Sequence, residues 1–189
     1  MPTDLLRGNL VRLCAPRSSD AETFSRWSED GDYRRLADTD PPRPMPPEHF
    51  RERDELLGSD PDNFEFRIRT VVDDRLLGFV AVSGIEWANR NGWVAIGIGD
   101  PECRRRGYGL QAMGLLLRYA FHELELHRVS LDVIADNRAA IALYKRLGFQ
   151  EEGRLRERVL RDGARTDLLY MGLLRQEWEW ARSGTAEGL

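Results

Sequence analysis

The chain has 189 residues, of which 41% are hydrophobic, and this length suits one well-buried core better than two. Its 28 basic and 32 acidic residues give a net charge of −4, so it lacks the basic surplus that holds a protein on nucleic acid or anionic lipid. We therefore expect a single domain over residues 1–189, with no nucleic acid and no membrane as partner.

Cysteine usage and the N-terminal segment favour a cytoplasmic protein. Cys14 and Cys103 are far apart in the chain and match neither a metal-ligand spacing nor a disulfide framework. The segment MPTDLLRGNL lacks the charged and apolar regions of a signal peptide, and no apolar run approaches the roughly 18 residues of a membrane span. The three histidines have no regular spacing, so we expect no metal site.

The N-terminal third predicts one strand and two helices. Residues 8–16 alternate apolar and polar side chains and end at a proline, as a strand does. Residues 21–30 place Phe24 and Trp27 on one helical face. Five prolines within DTDPPRPMPPEH indicate a stiff loop, and a short helix is expected at PEHFRERDELLG.

The rest of the chain predicts strands and helices in alternation. Residues 64–99 favour a hairpin that turns at Asp73 and Asp74, followed by a third strand. A buried helix follows over 104–124, then a strand over 127–135, a helix closed by Gly148, and a hairpin that turns at 161–163. The fold class is therefore α/β (α+β), a mixed, mostly antiparallel sheet flanked by helices, with a frayed, flexible tail at about 182–189.

The segment RRRGYG, residues 104–109, places three arginines and two glycines where the helix over 104–124 begins. Unpaired backbone N–H groups and the positive end of the helix meet there, and glycines let an anion approach the main chain closely. Arginine side chains add charge-assisted donors for a phosphate. An ordinary solvated surface is the alternative reading of such a basic loop.

A second pattern lies in DNRAAIALYKRLGF, residues 136–149. Asn137 and Tyr144 are seven positions apart and lie on the same helical face, about 10 Å from one another. One extended ligand could contact both residues. Taken singly, Asn137 also suits an N-cap and Tyr144 suits a half-buried amphipathic position.

Together these motifs resemble the GNAT superfamily of N-acetyltransferases, in the branch that includes ribosomal-protein N-terminal acetyltransferases. The resemblance extends from LRGNLVRL through IGIGDPECRRRGYG and NRAAIALYKRLGF to DGARTDLLYMGLLRQEW. It implies a single-domain fold with a splayed strand pair that holds the cofactor acetyl-CoA. The implied cofactor-binding residues are Ile96, Gly97, Ile98, Arg104, Arg105, Arg106, Gly107, Tyr108, Gly109, Leu110, Asn137, Ala140 and Tyr144.

The resemblance also implies roles in acetyl transfer to a primary amine by direct attack. The backbone N–H of Ile98 would polarise the thioester carbonyl, and the Tyr144 hydroxyl would protonate the leaving thiolate. Members of the family often have a glutamate in the strand before the turn, but WVAIGIG contains no carboxylate. The general base therefore stays open among Glu86, His127 and Asp100, and Glu86 is taken as the first candidate.

The acceptor is expected to be a small amine, such as a polyamine or an aminoglycoside, or a protein N-terminus. The missing base slightly favours an α-amine, because its pKa of about 7.7 leaves part of it neutral at pH 7. Tyr33, Trp87 and Trp93 are candidates for acceptor binding, and the protein is expected as a monomer or homodimer. A non-catalytic acyl-CoA-binding module is the alternative, although such a module would not need Tyr144.

Overall fold

The computed structural model describes residues 4–185, with side chains as far as residue 181. Within these residues one seven-stranded sheet is covered by six α-helices. The predicted fold class, a mixed and mostly antiparallel sheet flanked by helices, is confirmed.

The elements follow the predicted order with two helices added, at residues 31–37 and 175–185. The strands are β1 (Val11–Cys14), β2 (Phe64–Thr70), β3 (Leu76–Glu86), β4 (Asn91–Ile98), β5 (Arg128–Ile134), β6 (Gln150–Arg161) and β7 (Ala164–Leu174). The helices are α1 (Asp20–Ser28), α2 (Gly31–Ala37), α3 (Pro47–Ser59), α4 (Tyr108–His122), α5 (Arg138–Arg146) and α6 (Arg175–Thr185). A short 3₁₀ turn spans Pro101–Cys103.

The sheet divides into two halves at its centre. The strand order is β1-β2-β3-β4-β5-β7-β6, and every neighbouring pair is antiparallel except β4 and β5. These two parallel strands pair only over Asn91–Trp93 and Arg128–Ser130. Their remaining residues pair with β3 and β7 respectively, so a gap opens between them, as the expected splayed strand pair requires.

Helix α4 packs across one face of the sheet and forms the main core. Met113, Leu116, Leu117 and Phe121 are completely buried there. Each such side chain contributes about 1.5–3 kcal/mol by leaving water. The side chain of Gln111 accepts hydrogen bonds from the N–H groups of Leu10 and Val11, at 2.7 and 2.9 Å, and so fixes α4 to the start of β1.

The hairpin between β6 and β7 turns where the sequence predicted. Asp162 and Gly163 both have left-handed backbone conformations, with φ of 49° and 77°. A two-residue turn of this kind matches the twist of the strands that it joins, and Asp-Gly is a preferred sequence for it. The hairpin between β2 and β3 also forms as expected, with its turn around Asp73 and Asp74.

Helix α2 was not predicted. It has seven residues, buries none of them fully, and shows no apolar periodicity that could reveal it in the sequence. It forms because the Asp30 carboxylate caps its start and accepts a hydrogen bond from the Tyr33 N–H at 3.0 Å. The helix lies beside the gap between β4 and β5, where it lines the cavity described below.

The C-terminal helix α6 packs onto the core through Trp178, which is 4% exposed and lies against Phe121 at a ring-centroid distance of 5.4 Å. The tail predicted at 182–189 begins within α6, and residues 186–189 lie outside the described part of the chain. Its flexibility therefore stays a prediction. No helix among residues 4–185 is long and apolar enough to cross a bilayer.

Candidate active site

The gap between β4 and β5 opens into a cavity of about 610 Å³. Its walls come from the end of β4, the loop before α4, the C-terminal half of β5, one face of α5 and the end of α2. Eleven of the thirteen expected cofactor residues line it: Ile96, Gly97, Ile98, Arg104, Arg105, Gly107, Gly109, Leu110, Asn137, Ala140 and Tyr144. The other two, Arg106 and Tyr108, belong to the same loop and helix start but do not line the cavity.

The main chain of β4 presents polar groups to the gap. The Gly99 N–H donates to the Leu77 carbonyl of the preceding hairpin strand at 3.0 Å. Because these groups alternate in direction along an antiparallel strand, those of Ile98 and Ile96 point the other way, towards β5. No strand pairs with them there. The Ile98 carbonyl accepts from Arg104, while the Ile98 N–H and the main-chain groups of Ile96 can pair with an extended ligand as they would with an additional strand.

The loop over residues 104–109, called the phosphate turn below, holds several free N–H groups at one point. Arg105 and Gly107 have left-handed backbones, with φ of 60° and 84°. Gly107 stands at the N-cap of α4 and supplies no capping side chain, and the Gln111 N–H bonds to its carbonyl at 3.0 Å. The N–H groups of residues 108–110 therefore have no helical acceptor and are available to an anion.

The three arginines of the phosphate turn have different environments. Arg104 donates to the carbonyls of Ile98 and Gly99 at 3.1 and 2.9 Å, and it lies 3.3 Å from the Asp30 carboxylate. Arg105 and Arg106 are exposed and form no ion pair with any residue of the described chain. Arg104 thus stabilises the turn, while the positive charges of Arg105 and Arg106 have no carboxylate partner among the described residues.

Arg104 also connects the phosphate turn to α2. Its guanidinium lies over the Tyr33 ring, 5.0 Å from the ring centroid. The Tyr33 hydroxyl reaches β4 beside Gly97 and leaves no room for a side chain at that position. Burial raises the pKa of Tyr33, so this expected acceptor-binding residue is a neutral phenol in the cavity wall.

Asn137 has a structural task at the cavity edge. Its side-chain oxygen accepts from the Ala140 N–H at 3.1 Å and so caps α5, as its sequence pattern suggested. Its amide nitrogen donates to the Leu36 carbonyl at 3.1 Å and ties α2 to α5. Both polar ends of the side chain are therefore occupied within the protein.

Tyr144 is buried with its hydroxyl unpaired. The residue is 6% exposed, its ring lies 5.7 Å from that of Phe149, and its hydroxyl has no hydrogen-bond partner among the described residues. Burial, followed by the nearby negative charge of Asp132, raises the pKa of Tyr144 to about 12. The phenol is therefore a proton donor at neutral pH.

The three residues expected as first candidate base or as acceptor-binding groups, other than Tyr33, lie outside the cavity. Glu86 is exposed at the far end of β3, where it pairs with Asn91, about 23 Å along β4 from Ile98 by the strand rise. The indole of Trp87 donates to Asp62, and the Trp93 ring lies 5.9 Å from that of Tyr170. The structure therefore does not bring Glu86, Trp87 or Trp93 together with Tyr144.

The other two possible bases are also elsewhere. His127 is exposed just before β5, at the end of that strand away from the cavity. Asp100 forms an ion pair with Arg75 and accepts from the Glu102 N–H at 3.0 Å. Neither residue lines the cavity.

Two carboxylates that the sequence analysis did not select do line the cavity, Asp38 after α2 and Asp132 in β5. Desolvation, followed by the charge of Asp38, raises the pKa of Asp132. The available sequence signal was one acidic residue within the apolar strand RVSLDVI. No cluster of three or more potential metal ligands occurs within the described residues.

Comparison with known proteins agrees with this geometry. The profile of the Acetyltransferase (GNAT) family matches residues 28–149. The Vibrio cholerae spermidine N(1)-acetyltransferase is 34% identical over 137 residues, which span 70% of this chain and 78% of that protein. The Bacillus subtilis (strain 168) protein YdaF, provisionally named a ribosomal N-acetyltransferase, is 35% identical over 107 residues, or 57% of this chain and 58% of its own length.

A solved structure supports the fold in the same way. The crystal structure of spermidine N-acetyltransferase from Vibrio cholerae in complex with CoA and spermine superposes with a TM-score of 0.80. It is 24% identical, and the match covers 89% of this chain and 98% of that one. The resemblance drawn from the sequence motifs is thereby confirmed. The chain belongs to the Acetyltransferase (GNAT) family and is an acetyl-CoA-dependent acetyltransferase.

Proposed function

We propose that the protein transfers the acetyl group of acetyl-CoA to a primary amine, which attacks directly in a ternary complex. The observation that carries this proposal is one continuous cavity that joins the phosphate turn, the unpaired edge of β4 and the hydroxyl of Tyr144. Acetyl-CoA has a nucleotide end with phosphates, an extended pantetheine arm and a thioester sulfur, and these three parts would contact the three regions in that order.

The residues around the cavity fit acetyl-CoA. The free N–H groups at 108–110 and the unpaired Arg105 suit its phosphates, while Arg104 and Gly107 shape the turn that presents them. The main-chain groups of Ile96 and the N–H of Ile98 suit the amides of its pantetheine arm. Apolar side chains of α5, including Ala140 and Leu143, complete the wall.

Bound acetyl-CoA supplies a thioester whose carbonyl carbon is open to attack by an amine. The Ile98 N–H points into the gap and can donate to a carbonyl oxygen there, a type of contact whose removal typically costs about 3 kcal/mol of transition-state stabilisation. Tyr144 holds a proton on its hydroxyl that it can give to a departing sulfur. Its burial keeps that proton in place at neutral pH.

Cys103 does not supply a covalent alternative to direct attack. The residue is 5% exposed and belongs to the core beneath α4. Burial, followed by the charge of Asp100, raises the pKa of its thiol, whereas a nucleophilic cysteine requires a lowered pKa. The amine is therefore the nucleophile that attacks the thioester.

The acceptor in this proposal is a cationic amine, a small polyamine or a protein N-terminus. Asp38 and Asp132 give the cavity two carboxylates, and Tyr33 adds an aromatic face beside β4. Relatives carry the names of a spermidine acetyltransferase and a ribosomal acetyltransferase, and the first of these names supports a polyamine acceptor. A cytoplasmic location and a monomeric or homodimeric state remain predictions from the sequence.

Release of the coenzyme A thiol, measured with a panel of polyamines, aminoglycosides and peptides, tests the proposal. We expect release that depends on both acetyl-CoA and a primary amine, with the acetylated amine as product by mass spectrometry. Tight binding of acetyl-CoA without transfer to any amine would instead identify a non-catalytic acyl-CoA-binding module. Failure to bind acetyl-CoA would reject the site itself.

A further inference from the structure

The two faces of β4 differ at the end where the gap opens. Ile96 and Ile98 direct their side chains to the face covered by α4, where they lie beside Gly109. Gly97 and Gly99 face the opposite side, because successive residues of a strand alternate. The space that a Cβ would need at these two glycines is filled by three aromatic side chains, those of Tyr33, Phe79 and Trp27. An aromatic wall thus closes this face of β4.

Tyr33 is the member of the aromatic wall that lines the cavity. Its hydroxyl contacts β4 at Gly97, one residue before Ile98. Within the described chain, Tyr33 bonds to Asp30 through its backbone and contacts Arg104 through its ring, and its hydroxyl has no hydrogen-bond partner. The tip of the phenol therefore borders the cavity immediately beside the Ile98 N–H.

The contacts around Tyr33 hold its ring in place. Its N–H donates to the Asp30 carboxylate at 3.0 Å, and the Arg104 guanidinium lies over the ring, 5.0 Å from its centroid. Arg104 in turn donates to two backbone carbonyls at the end of β4, at 3.1 and 2.9 Å. At the other end of α2, the Asn137 amide donates to the Leu36 carbonyl at 3.1 Å. A ligand that needed the space of the phenol would have to disrupt these contacts.

The position of Tyr33 relates it to one part of the donor. In the function proposed above, the Ile98 N–H would donate to the thioester oxygen and the Tyr144 hydroxyl would face the sulfur. The Ile98 N–H points from β4 towards β5, whereas Tyr144 approaches from the α4 face, where it belongs to the main core. The three substituents of a carbonyl carbon point away from one another. The third substituent, the acyl chain, is therefore directed to the opposite face, where Tyr33 lies beside Gly97.

We propose that Tyr33 determines donor specificity by limiting the acyl group that the cavity accepts to acetyl. This inference rests on the function proposed above. A methyl group ends beside the phenol, and each further methylene would have to displace a ring that α2, Asp30 and Arg104 hold in place. One methylene too many in a well-packed site lowers binding by about tenfold or more. An aliphatic chain would also remove the Tyr33 hydroxyl from water without offering it a hydrogen bond.

The first experiment measures binding without an acceptor, by isothermal titration calorimetry with coenzyme A, acetyl-CoA, propionyl-CoA and butyryl-CoA. For wild type we expect the affinity to fall about tenfold from acetyl-CoA to propionyl-CoA and further for butyryl-CoA. Free coenzyme A has no acyl chain, so its affinity reports any change in the rest of the site. Each acyl-CoA affinity is therefore compared with that of coenzyme A in the same protein.

Two variants of Tyr33 should relax this selectivity to different extents. Tyr33→Phe keeps the ring under Arg104 and removes one atom of about methyl size, so propionyl-CoA should bind nearly as well as acetyl-CoA while butyryl-CoA stays weaker. Tyr33→Ala removes the whole ring, and the three acyl-CoA affinities should agree within about threefold. Tyr33→Phe keeps the inference testable if Tyr33→Ala disturbs α2.

Acyl transfer gives a second measure, with the best acceptor from the thiol-release panel. The ratio of kcat/KM for butyryl-CoA to that for acetyl-CoA is taken within one protein, so a loss of folded protein does not change it. We expect Tyr33→Ala to raise this ratio by about tenfold or more. Tyr170→Ala is the matched control, because Tyr170 is an exposed tyrosine outside the cavity, and it should retain the wild-type ratio.

The outcomes separate this inference from the proposed function. If wild type binds the three acyl-CoA molecules equally well, or if both variants keep the wild-type affinity ratios, the inference is wrong and the proposed function stands. Loss of transfer in both variants with unchanged affinity ratios would place Tyr33 on the acceptor and would also overturn the inference. Failure of wild type to bind acetyl-CoA would reject the proposed function as well.

Discussion

Strand β2 and the phosphate turn both contain more than one arginine, but the arginines of the two regions differ in burial and in ion pairing. Arg67 is completely buried and has three carboxylates around it: Asp54 at 2.5 Å, Asp20 at 3.7 Å and Glu65 in direct contact. Arg105 and Arg106 are exposed at the start of α4 and have no carboxylate partner among the described residues. Arginines of equal charge thus have either several carboxylate partners or none.

The presence or absence of carboxylate partners separates charges that stabilise the fold from charges that are available to a ligand. In β2, desolvated arginines and carboxylates compensate one another and join β2 to α1 and α3. At the phosphate turn and at Asp132, charge is left uncompensated beside a cavity. Arg104 has an environment between these two extremes. It contacts Asp30 and two backbone carbonyls, and these contacts stabilise the turn in which Arg105 and Arg106 lie exposed.

Removal of a buried arginine should give the largest effect. Arg67→Met leaves Asp54 and Glu65 with Arg53 as their remaining partner, so the buried cluster loses one of its two cations and we expect the free energy of unfolding to fall by about 3–5 kcal/mol. Urea denaturation followed by circular dichroism measures it. Arg106→Met is the matched control and should change the free energy by less than about 0.5 kcal/mol. Similar losses in the two variants would remove the distinction between these arginines.

Loss of the Tyr144 hydroxyl should reduce turnover without affecting the fold. Tyr144→Phe keeps the buried ring against Phe149 and removes only the proton donor, so kcat should fall about 10²-fold or more. Because the pKa of Tyr144 is raised to about 12, its ionisation should not limit wild-type turnover below about pH 9. Steady-state kinetics and acetyl-CoA titration measure both quantities, and an unchanged kcat would reject the role of proton donor.

Much of the fold was predictable because its signals are local. The alternation of β2 to β5, the apolar face of α4 and the Asp162-Gly163 turn each lie within a few consecutive residues. The phosphate turn was predicted for the same reason, since its arginines and glycines are adjacent in sequence. Helix α2 was missed because its position depends on Asp30 and on contact between Tyr33 and the distant Arg104.

The environment of Asp132 was harder to predict, because it depends on which side chains are absent around it. An aspartate in a strand becomes informative only when no arginine reaches it, and that absence is visible only once all chain segments are placed together. Asp20 and Asp132 are the same residue type, yet Asp20 contacts two buried arginines and Asp132 none. Glu86 was selected without knowledge of which end of the paired strands β3 and β4 faces the cavity, and the structure places it at the other end.

The backbone of the phosphate turn should contribute a smaller effect than Tyr144. Gly107 has a φ of 84°, and a Cβ there would meet only Leu10 at 3.7 Å. Gly107→Ala would therefore strain the backbone without a steric clash. A left-handed alanine costs about 1–2 kcal/mol, and we expect acetyl-CoA affinity to fall by about tenfold if the turn shifts to relieve it. Isothermal titration calorimetry measures the change.

A second left-handed glycine provides the control for this substitution. Gly163 has a φ of 77° in the turn between β6 and β7, with open space around it. Gly163→Ala should show a comparable loss of stability and no loss of acetyl-CoA affinity. Equal affinity losses in the two variants would mean that the effect at Gly107 reflects general destabilisation.

The free arginines of the turn should give the smallest effect, and it should depend on salt. Arg105→Gln removes an exposed positive charge that lines the cavity, so we expect acetyl-CoA affinity to fall about two- to fivefold at low ionic strength. Arg106→Gln removes the same charge from a neighbour that does not line the cavity and should weaken binding less. Both differences should shrink as salt screens the charges, because these side chains are exposed to solvent. Titration with acetyl-CoA at two salt concentrations tests this expectation. An Arg105 effect that persists at high salt would mean that this side chain binds the ligand in a desolvated contact. Its environment would then resemble that of Arg67 more than that of a free surface charge.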